Sequence, residues 1–237
     1  MARFVAHIAL AIFLFAGGGS VLAQNGRSLA DFPFWQKMEG YWESENTYFD
    51  ANMDYQVRSY SSLVHVELNG HKYHETEHRF YPAGLSTSRY GKGLMQPGEG
   101  IELVVTTTGK LIDDAGTLGN IYIDHAGSSG GPNVAYHMLG ENDAVRTNTI
   151  PETGVDNYRM YFNFTTPDRR FRSNFGLLGN DKENLGGLRA FILYRDHRID
   201  GANFENRRAA IREQHKVKVI SRAHTDGTRQ SMVTRLD

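Results

Sequence analysis

The 237-residue chain contains no cysteine. Disulfide bonds, thiol catalysis and a lipid anchor on a cysteine are therefore excluded, and stability has to come from a hydrophobic core. A chain of this length is long enough to bury one. Acidic and basic residues nearly balance, with a formal net charge of −1. This balance argues against a nucleic-acid partner, because such partners need a basic surface.

Long hydrophobic runs are also missing, apart from one near the amino terminus. Arg3 precedes the apolar stretch 8–16, and Val-Leu-Ala at 21–23 fits a signal-peptidase site. The stretch is roughly half the length that crosses a bilayer. We predict a signal peptide over 1–23, a mature chain without a transmembrane segment, and a periplasmic or secreted location. An uncleaved membrane anchor is the alternative.

After Gly40, short runs rich in Val, Ile, Thr, Tyr and Phe alternate with Gly, Asn and Asp turns, which is typical of antiparallel strands. Hairpin turns are predicted at Asn69-Gly70 and Asp226-Gly227. A short helix is predicted within 28–38, and a late one over 203–215 with Asn203 as N-cap. The predicted strands cover 41–49, 54–68, 71–81, 100–107, 119–125, 133–139, 143–149, 157–166, 170–177, 187–198, 216–223 and 228–236.

This pattern assigns residues 24–237 to a single mainly β domain, an antiparallel β-barrel. A curled α+β sheet is the fallback, and two stacked sheets are a further possibility. The segment 34–42, Phe-Trp-Gln-Lys-Met-Glu-Gly-Tyr-Trp, resembles the start of lipocalin-like (calycin) barrels, where a short helix precedes Gly-x-Trp. The resemblance implies that Trp42 closes the barrel floor beneath an arginine of the last strand. Arg235 is the expected partner, and Arg222 is the second choice.

The segment 65–78, His-Val-Glu-Leu-Asn-Gly-His-Lys-Tyr-His-Glu-Thr-Glu-His, contains four histidines. An Asn69-Gly70 turn would set His65 directly opposite His74, with His78 further along the same face. The other face, with Val64, Val66, Leu68 and Tyr73, is the more apolar one. A solvated histidine face, proton transfer or ligand contact, and metal binding all fit this pattern. We favour no metal site, because no short-range ligand spacing specifies one.

Polar residues also alternate along strands 157–166 and 170–177. Arg159, Tyr161 and Asn163 occupy one face of the first strand, and joining them with Arg172 of the second gives a basic face. A solvated outer surface is one interpretation. The other is a barrel interior that holds a polar head group or a developing negative charge, for which arginine forks are suited.

A third polar aromatic group contains Tyr122 and Tyr136. Tyrosines can line a pocket for aromatic molecules, although they are equally good strand formers. No nucleophile elbow, phosphate loop, dinucleotide fingerprint or EF-hand appears, so no cofactor is expected.

The leading functional hypothesis is an exported barrel that encloses a small apolar or aromatic molecule, with Tyr122, Tyr136, Arg172, Asn163 and His78 as ligand contacts. The first alternative is a cofactor-independent lyase or isomerase that acts on a small aromatic substrate. Its candidate acid–base and anion-holding residues are His65, His74, Tyr161 and Arg159. The second alternative is a structural, envelope-associated protein.

Overall fold

The computed structural model describes residues 26–49, 56–84, 98–124, 134–149, 156–177, 188–222 and 232–236. The chain is mainly β, with two short α-helices, α1 (Pro33–Met38) and α2 (Phe204–Gln214), each preceded by a 3-10 turn. The strands are β1 (Gly40–Phe49), β2 (Gln56–Asn69), β3 (Lys72–Tyr81), β4 (Gly100–Leu111), β5 (Leu118–Asp124), β6 (Val134–Met138), β7 (Asp143–Thr149), β8 (Asp156–Thr166), β9 (Arg169–Leu177), β10 (Leu188–Arg198), β11 (Val217–Arg222) and β12 (Met232–Arg235).

Ten of these strands form a closed antiparallel barrel in the order β4-β3-β2-β1-β10-β9-β8-β7-β6-β5. Closure occurs at β4, whose carboxyl half pairs with β5. The amino half of the same edge pairs in parallel with β11, and β12 pairs with β11. Strands β11 and β12 therefore extend the sheet outside the closed ring. The predicted barrel and both predicted helices are confirmed.

Helix α1 closes one end of the barrel. Just before it, the backbone N–H of Leu29 donates to the carbonyl of Gly70 in the β2–β3 turn at 2.8 Å. Within it, the indole N–H of Trp35 donates to the carbonyl of Gly116 in the β4–β5 turn at 2.8 Å. Because both turns lie at the same end of the barrel, the helix plugs that end with its aromatic side chains.

Above this plug, the core inside the barrel is rich in aromatic rings. Trp35 lies edge-on to Tyr73 and Tyr136, with ring centroids 5.6 Å apart in each pair. Trp42 is fully buried, and its indole N–H donates to the carbonyl of Met38 at 3.0 Å. Trp42 therefore ties the first strand to the end of α1.

Helix α2 packs on the outside of the barrel, where it forms a second, smaller apolar cluster with Leu63 and Phe80. Beside this cluster, the fully buried carboxylate of Glu102 binds three cationic or titratable groups. His78 Nδ1 lies 2.6 Å from Glu102 Oε1, Arg208 Nη2 lies 2.9 Å from the same oxygen, and Arg212 Nε binds the other oxygen. The helix is thus fastened by both apolar and ionic contacts.

Two local predictions are wrong. The side chain of Asn203 makes no capping hydrogen bond; instead Asp200 accepts from the Ala202 N–H at 2.9 Å and caps the 3-10 turn before α2. Arg235 does not cover Trp42, because β12 lies outside the closed ring, where Arg235 binds Glu99 at 2.8 Å.

Two further predictions, the leader at 1–23 and the turn Asp226-Gly227, lie outside the described residues. Within the described part of the chain, every helix is too short or too polar to cross a bilayer.

Candidate functional site

Charged side chains line the inside of the barrel on the neighbouring strands β10 and β9, beside neutral polar side chains of β1. Alternate residues of a strand point to the same face, and the register sets Asp196 beside both Arg170 and Ser44. Arg172 follows Arg170 by two residues and points the same way. None of these four residues is more than 4% exposed. Strand pairing thus concentrates charge within the core.

Asp196 binds two arginines at once. Its Oδ2 lies 2.6 Å from Arg170 Nε and 2.7 Å from Arg172 Nε, and its Oδ1 accepts from Arg172 Nη2 at 3.1 Å. Burial raises the pKa of the Asp196 carboxyl, but the two guanidinium groups outweigh burial and hold this pKa below its ordinary value. The aspartate is therefore ionised, and two positive charges share one negative charge.

A second ion pair, between the buried Glu77 and the partly buried Arg79, lies on β3. Arg79 Nη2 is 2.6 Å from Glu77 Oε2, and Arg79 Nε donates to the same oxygen at 2.8 Å. Burial raises the pKa of Glu77, while Arg79 and then Arg172 lower it, and the net pKa is below the ordinary value. Glu77 Oε1 and Arg170 Nη2 are buried without a hydrogen-bond partner in the described part of the chain.

Neutral polar groups link the charged residues across the barrel wall. Arg172 Nη2 donates a long hydrogen bond to Ser44 Oγ, at 3.4 Å. The Ser44 hydroxyl in turn donates to Asn46 Oδ1 at 2.7 Å. The Asn46 amide donates to Ser62 Oγ at 3.0 Å. This chain of hydrogen bonds fixes the position of the Arg172 guanidinium.

Three buried tyrosines lie at the end of the interior that is remote from α1. Tyr60 and Tyr81 are stacked, with centroids 4.8 Å apart, and the Arg172 guanidinium lies 4.3 Å from the centre of the Tyr194 ring. Burial raises the pKa of Tyr60 well above its ordinary value, so this phenol is neutral. The tyrosines supply flat apolar faces with hydroxyl groups at their edges.

A second polar set lies nearer to α1. The Tyr73 hydroxyl donates to Glu75 Oε2 at 2.6 Å, and Arg146 Nη1 donates to the Tyr136 hydroxyl at 2.8 Å. The rings of Tyr73 and Tyr136 are in contact, with centroids 6.0 Å apart. This set contains one acidic and one basic residue.

The inward-facing charges do not cancel. Those on described side chains comprise four arginines and three acidic residues: Arg79, Arg146, Arg170 and Arg172 against Glu75, Glu77 and Asp196. One positive charge remains in excess inside the described interior. Because an uncompensated charge is costly away from water, such an interior favours an anionic guest.

The histidine hairpin has the predicted faces but a different register. Its turn is Gly70-His71, and Gly70 adopts a φ of 58° at the first central position, as a type II′ turn favours. Each β2 residue therefore meets a partner two positions further along β3 than an Asn69-Gly70 turn would give. The predicted direct pairing of His65 with His74 is wrong.

The face of this hairpin that points out of the barrel carries three histidines, His65, His74 and His78. His65 pairs with Thr76 and stacks on Tyr41 with ring centroids 4.1 Å apart. His74 is exposed, and His78 is buried beneath α2. Among the described residues no group of histidine and acidic side chains is placed to hold a metal ion.

The predicted basic face across β8 and β9 is also wrong. Phe162 pairs with Arg172, whereas Tyr161 pairs with Ser173. A register shift between Phe164 and Thr166 is the cause, because a shift of one residue exchanges the faces of a strand. Arg172 therefore points inward. Arg159, Tyr161 and Asn163 point outward and are exposed.

Of the two tyrosines predicted to line a pocket, Tyr136 lies in the interior and Tyr122 is 56% exposed on the outside. The predicted site residues did not include Glu77, Arg79 or Asp196. The first two share the alternation phase of the buried Tyr73, and this was the available indication. Asp196 stands in the charged run Arg195-Asp196-His197-Arg198, which gives no sign of burial.

Comparison with known proteins yields a likeness to solved structures and nothing more. No family model and no curated protein matches the chain. Among solved structures, it is similar to the S-type phycobiliprotein lyase CPES from Guillardia theta, with 12% sequence identity and a TM-score of 0.44. The alignment covers 73% of this chain and 94% of the lyase chain.

Proposed function

We propose that this protein is an exported binding protein whose barrel encloses a small aromatic molecule bearing an anionic group. The observation that carries the proposal is the sharing of Asp196 by Arg170 and Arg172. Among the described residues, these three carry one more positive than negative charge, while the Glu77–Arg79 pair is balanced. A carboxylate or phenolate on the guest would neutralise this charge.

The aromatic part of the ligand is inferred from the neighbouring tyrosines. Tyr60, Tyr81 and Tyr194 present ring faces beside the guanidinium of Arg172 and are each at most 4% exposed. Aromatic rings prefer offset or edge contacts with other rings. A planar guest with an acidic substituent would use both the rings and the excess positive charge.

The enzyme alternative, a lyase or isomerase, requires a group that moves protons. The histidines on which that hypothesis relied lie outside the barrel, so His65 and His74 have no route to an interior substrate. The described interior offers tyrosines and carboxylates instead, and the Tyr73–Glu75 hydrogen bond is the arrangement closest to an acid–base pair. The binding function therefore has the stronger support.

Calorimetric titration of the mature protein with 1-naphthoate and with 1-naphthamide tests this proposal. The two molecules share a ring system and differ in charge. We expect naphthoate to bind at least about tenfold more tightly, since a charge-assisted hydrogen bond contributes roughly 1.5–3 kcal/mol. Equal affinities, or the absence of binding by both, would contradict an interior built for an aromatic anion.

A further inference from the structure

A cleft of about 660 Å³ lies outside the barrel. It is lined by the carboxyl end of α2, the start of β11, residues 98–99 before β4, and residues 235–236 at the end of β12. This volume is in the range of small-molecule sites. Four basic and two acidic side chains line it: Arg212, Lys216, Lys218, Arg235, Glu99 and Glu213. The cleft therefore has an excess of positive charge.

The basic residues of the cleft are not equivalent. Arg212 binds Glu102, and Arg235 binds Glu99. Lys216 and Lys218 are exposed and have no ion-pair partner within the described part of the chain. These two ammonium groups are accordingly available to a ligand.

Lys216 adopts an unfavourable backbone conformation. Its φ is 53°, in the left-handed region that suits glycine or asparagine immediately after a helix. Its N–H donates to the carbonyl of Glu213 at 3.1 Å, and its carbonyl accepts from Gly100 at 2.7 Å, so the conformation is fixed on both sides. A lysine side chain at a position better served by glycine indicates a use for its ammonium group.

We propose that this cleft binds a phosphate monoester or a chemically similar dianion through Lys216 and Lys218. Two flexible ammonium groups satisfy a compact dianion without bidentate geometry. The site is separate from the barrel interior, and neither proposal depends on the other. The phosphate could belong to a soluble molecule or to a lipid head group, and both sources share this chemistry.

The test measures binding and stability together in Lys216→Gly. At constant ionic strength, the parent is titrated with glycerol 3-phosphate and, separately, with vesicles containing phosphatidic acid. We expect binding from at least one source, and an affinity about tenfold lower in Lys216→Gly. The melting temperature of the variant should equal or exceed that of the parent, because glycine relieves the positive φ.

Lys110→Ala is the control, since Lys110 is an exposed lysine at the far end of β4. It should leave phosphate binding unchanged. Binding to glycerol 3-phosphate would assign a soluble ligand, and binding to vesicles alone would assign a lipid head group. The proposal is overturned if neither source binds, or if Lys216→Gly binds as well as the parent.

Discussion

The guanidinium carbon of Arg198 lies 4.3 Å from the centre of the Trp42 ring. The same guanidinium donates to the carbonyls of Glu39 at 2.6 Å and Lys37 at 2.7 Å, so it joins α1 to the tryptophan. Gly40 makes this approach possible, because a Cβ at residue 40 would lie 2.6 Å from Arg198 Nη1. The glycine and the tryptophan of the Gly-x-Trp motif thus serve one contact.

Arg198→Ala should lower the free energy of unfolding by about 1–3 kcal/mol. The change removes a cation–π contact and leaves two carbonyl groups without their donor. Arg235→Ala is the matched control and should change stability by less than about 0.5 kcal/mol, because the Arg235 side chain is 50% exposed and its charge remains in contact with water. Denaturant unfolding of both variants is the measurement. A larger effect for Arg235 would restore it as the partner of Trp42.

Asp196→Asn should be strongly destabilising, by about 3–5 kcal/mol, because Arg170 and Arg172 would lose their shared counter-charge inside the core. Asp168→Asn provides a control of the same chemistry, since Asp168 also faces an arginine but has a side chain 77% exposed. Urea unfolding should show little change for the control. A loss in Asp196→Asn as small as that of the control would mean that the Asp196 cluster is far better solvated than its geometry indicates.

Glu102 should make the attachment of α2 sensitive to acid. Burial raises the pKa of this carboxyl, but His78, Arg212 and Arg208 outweigh burial and lower the pKa to about 2. A lowered folded-state pKa stabilises the protein above the unfolded value of about 4.3, and this stability is lost as the pH falls toward 2. The loss should amount to about 3 kcal/mol.

Chemical unfolding at pH 6 and pH 3 should show somewhat more than half of this loss, about 1.7 kcal/mol, because pH 3 still lies above the folded-state pKa. Glu102→Gln should be less stable than the parent at pH 6, and its stability should fall less between the two pH values. Glu45→Gln is the control, because the ion pair of Glu45 with Arg195 is exposed; this variant should follow the parent. If Glu102→Gln lost as much stability as the parent on acidification, the source of the acid sensitivity would lie elsewhere.

The positions of the strands could be predicted from sequence because residues alternate between a buried and an exposed face. This alternation also assigned Val64, Val66 and Tyr73 correctly to the buried face. It could not fix which strands are neighbours across the barrel, so the pairing of Asp196 with Arg170 was out of reach. Such pairs join residues that are distant along the chain.

The predicted pairing registers of the β2–β3 and β8–β9 hairpins were wrong for local reasons. The histidine hairpin turns at Gly70-His71 instead of one residue earlier, and the β8–β9 pair contains a bulge near Thr166 that exchanges the faces. A bulge leaves no clear mark in the alternation of a short strand. For this reason Arg159 and Tyr161 were grouped with Arg172, from which the barrel wall separates them.

The most direct test of an interior anion site compares an inward and an outward arginine in the naphthoate titration. Arg172→Gln leaves Asp196 with Arg170 alone, so the connected charge cluster becomes balanced while its remaining ion pairs persist. Arg159→Gln removes an exposed arginine from the outer face. Arg172→Gln should lose most of the preference for naphthoate over naphthamide, and Arg159→Gln should retain it. A preference that survives in Arg172→Gln and disappears in Arg159→Gln would place the site on the outer face and contradict an anion site inside the barrel.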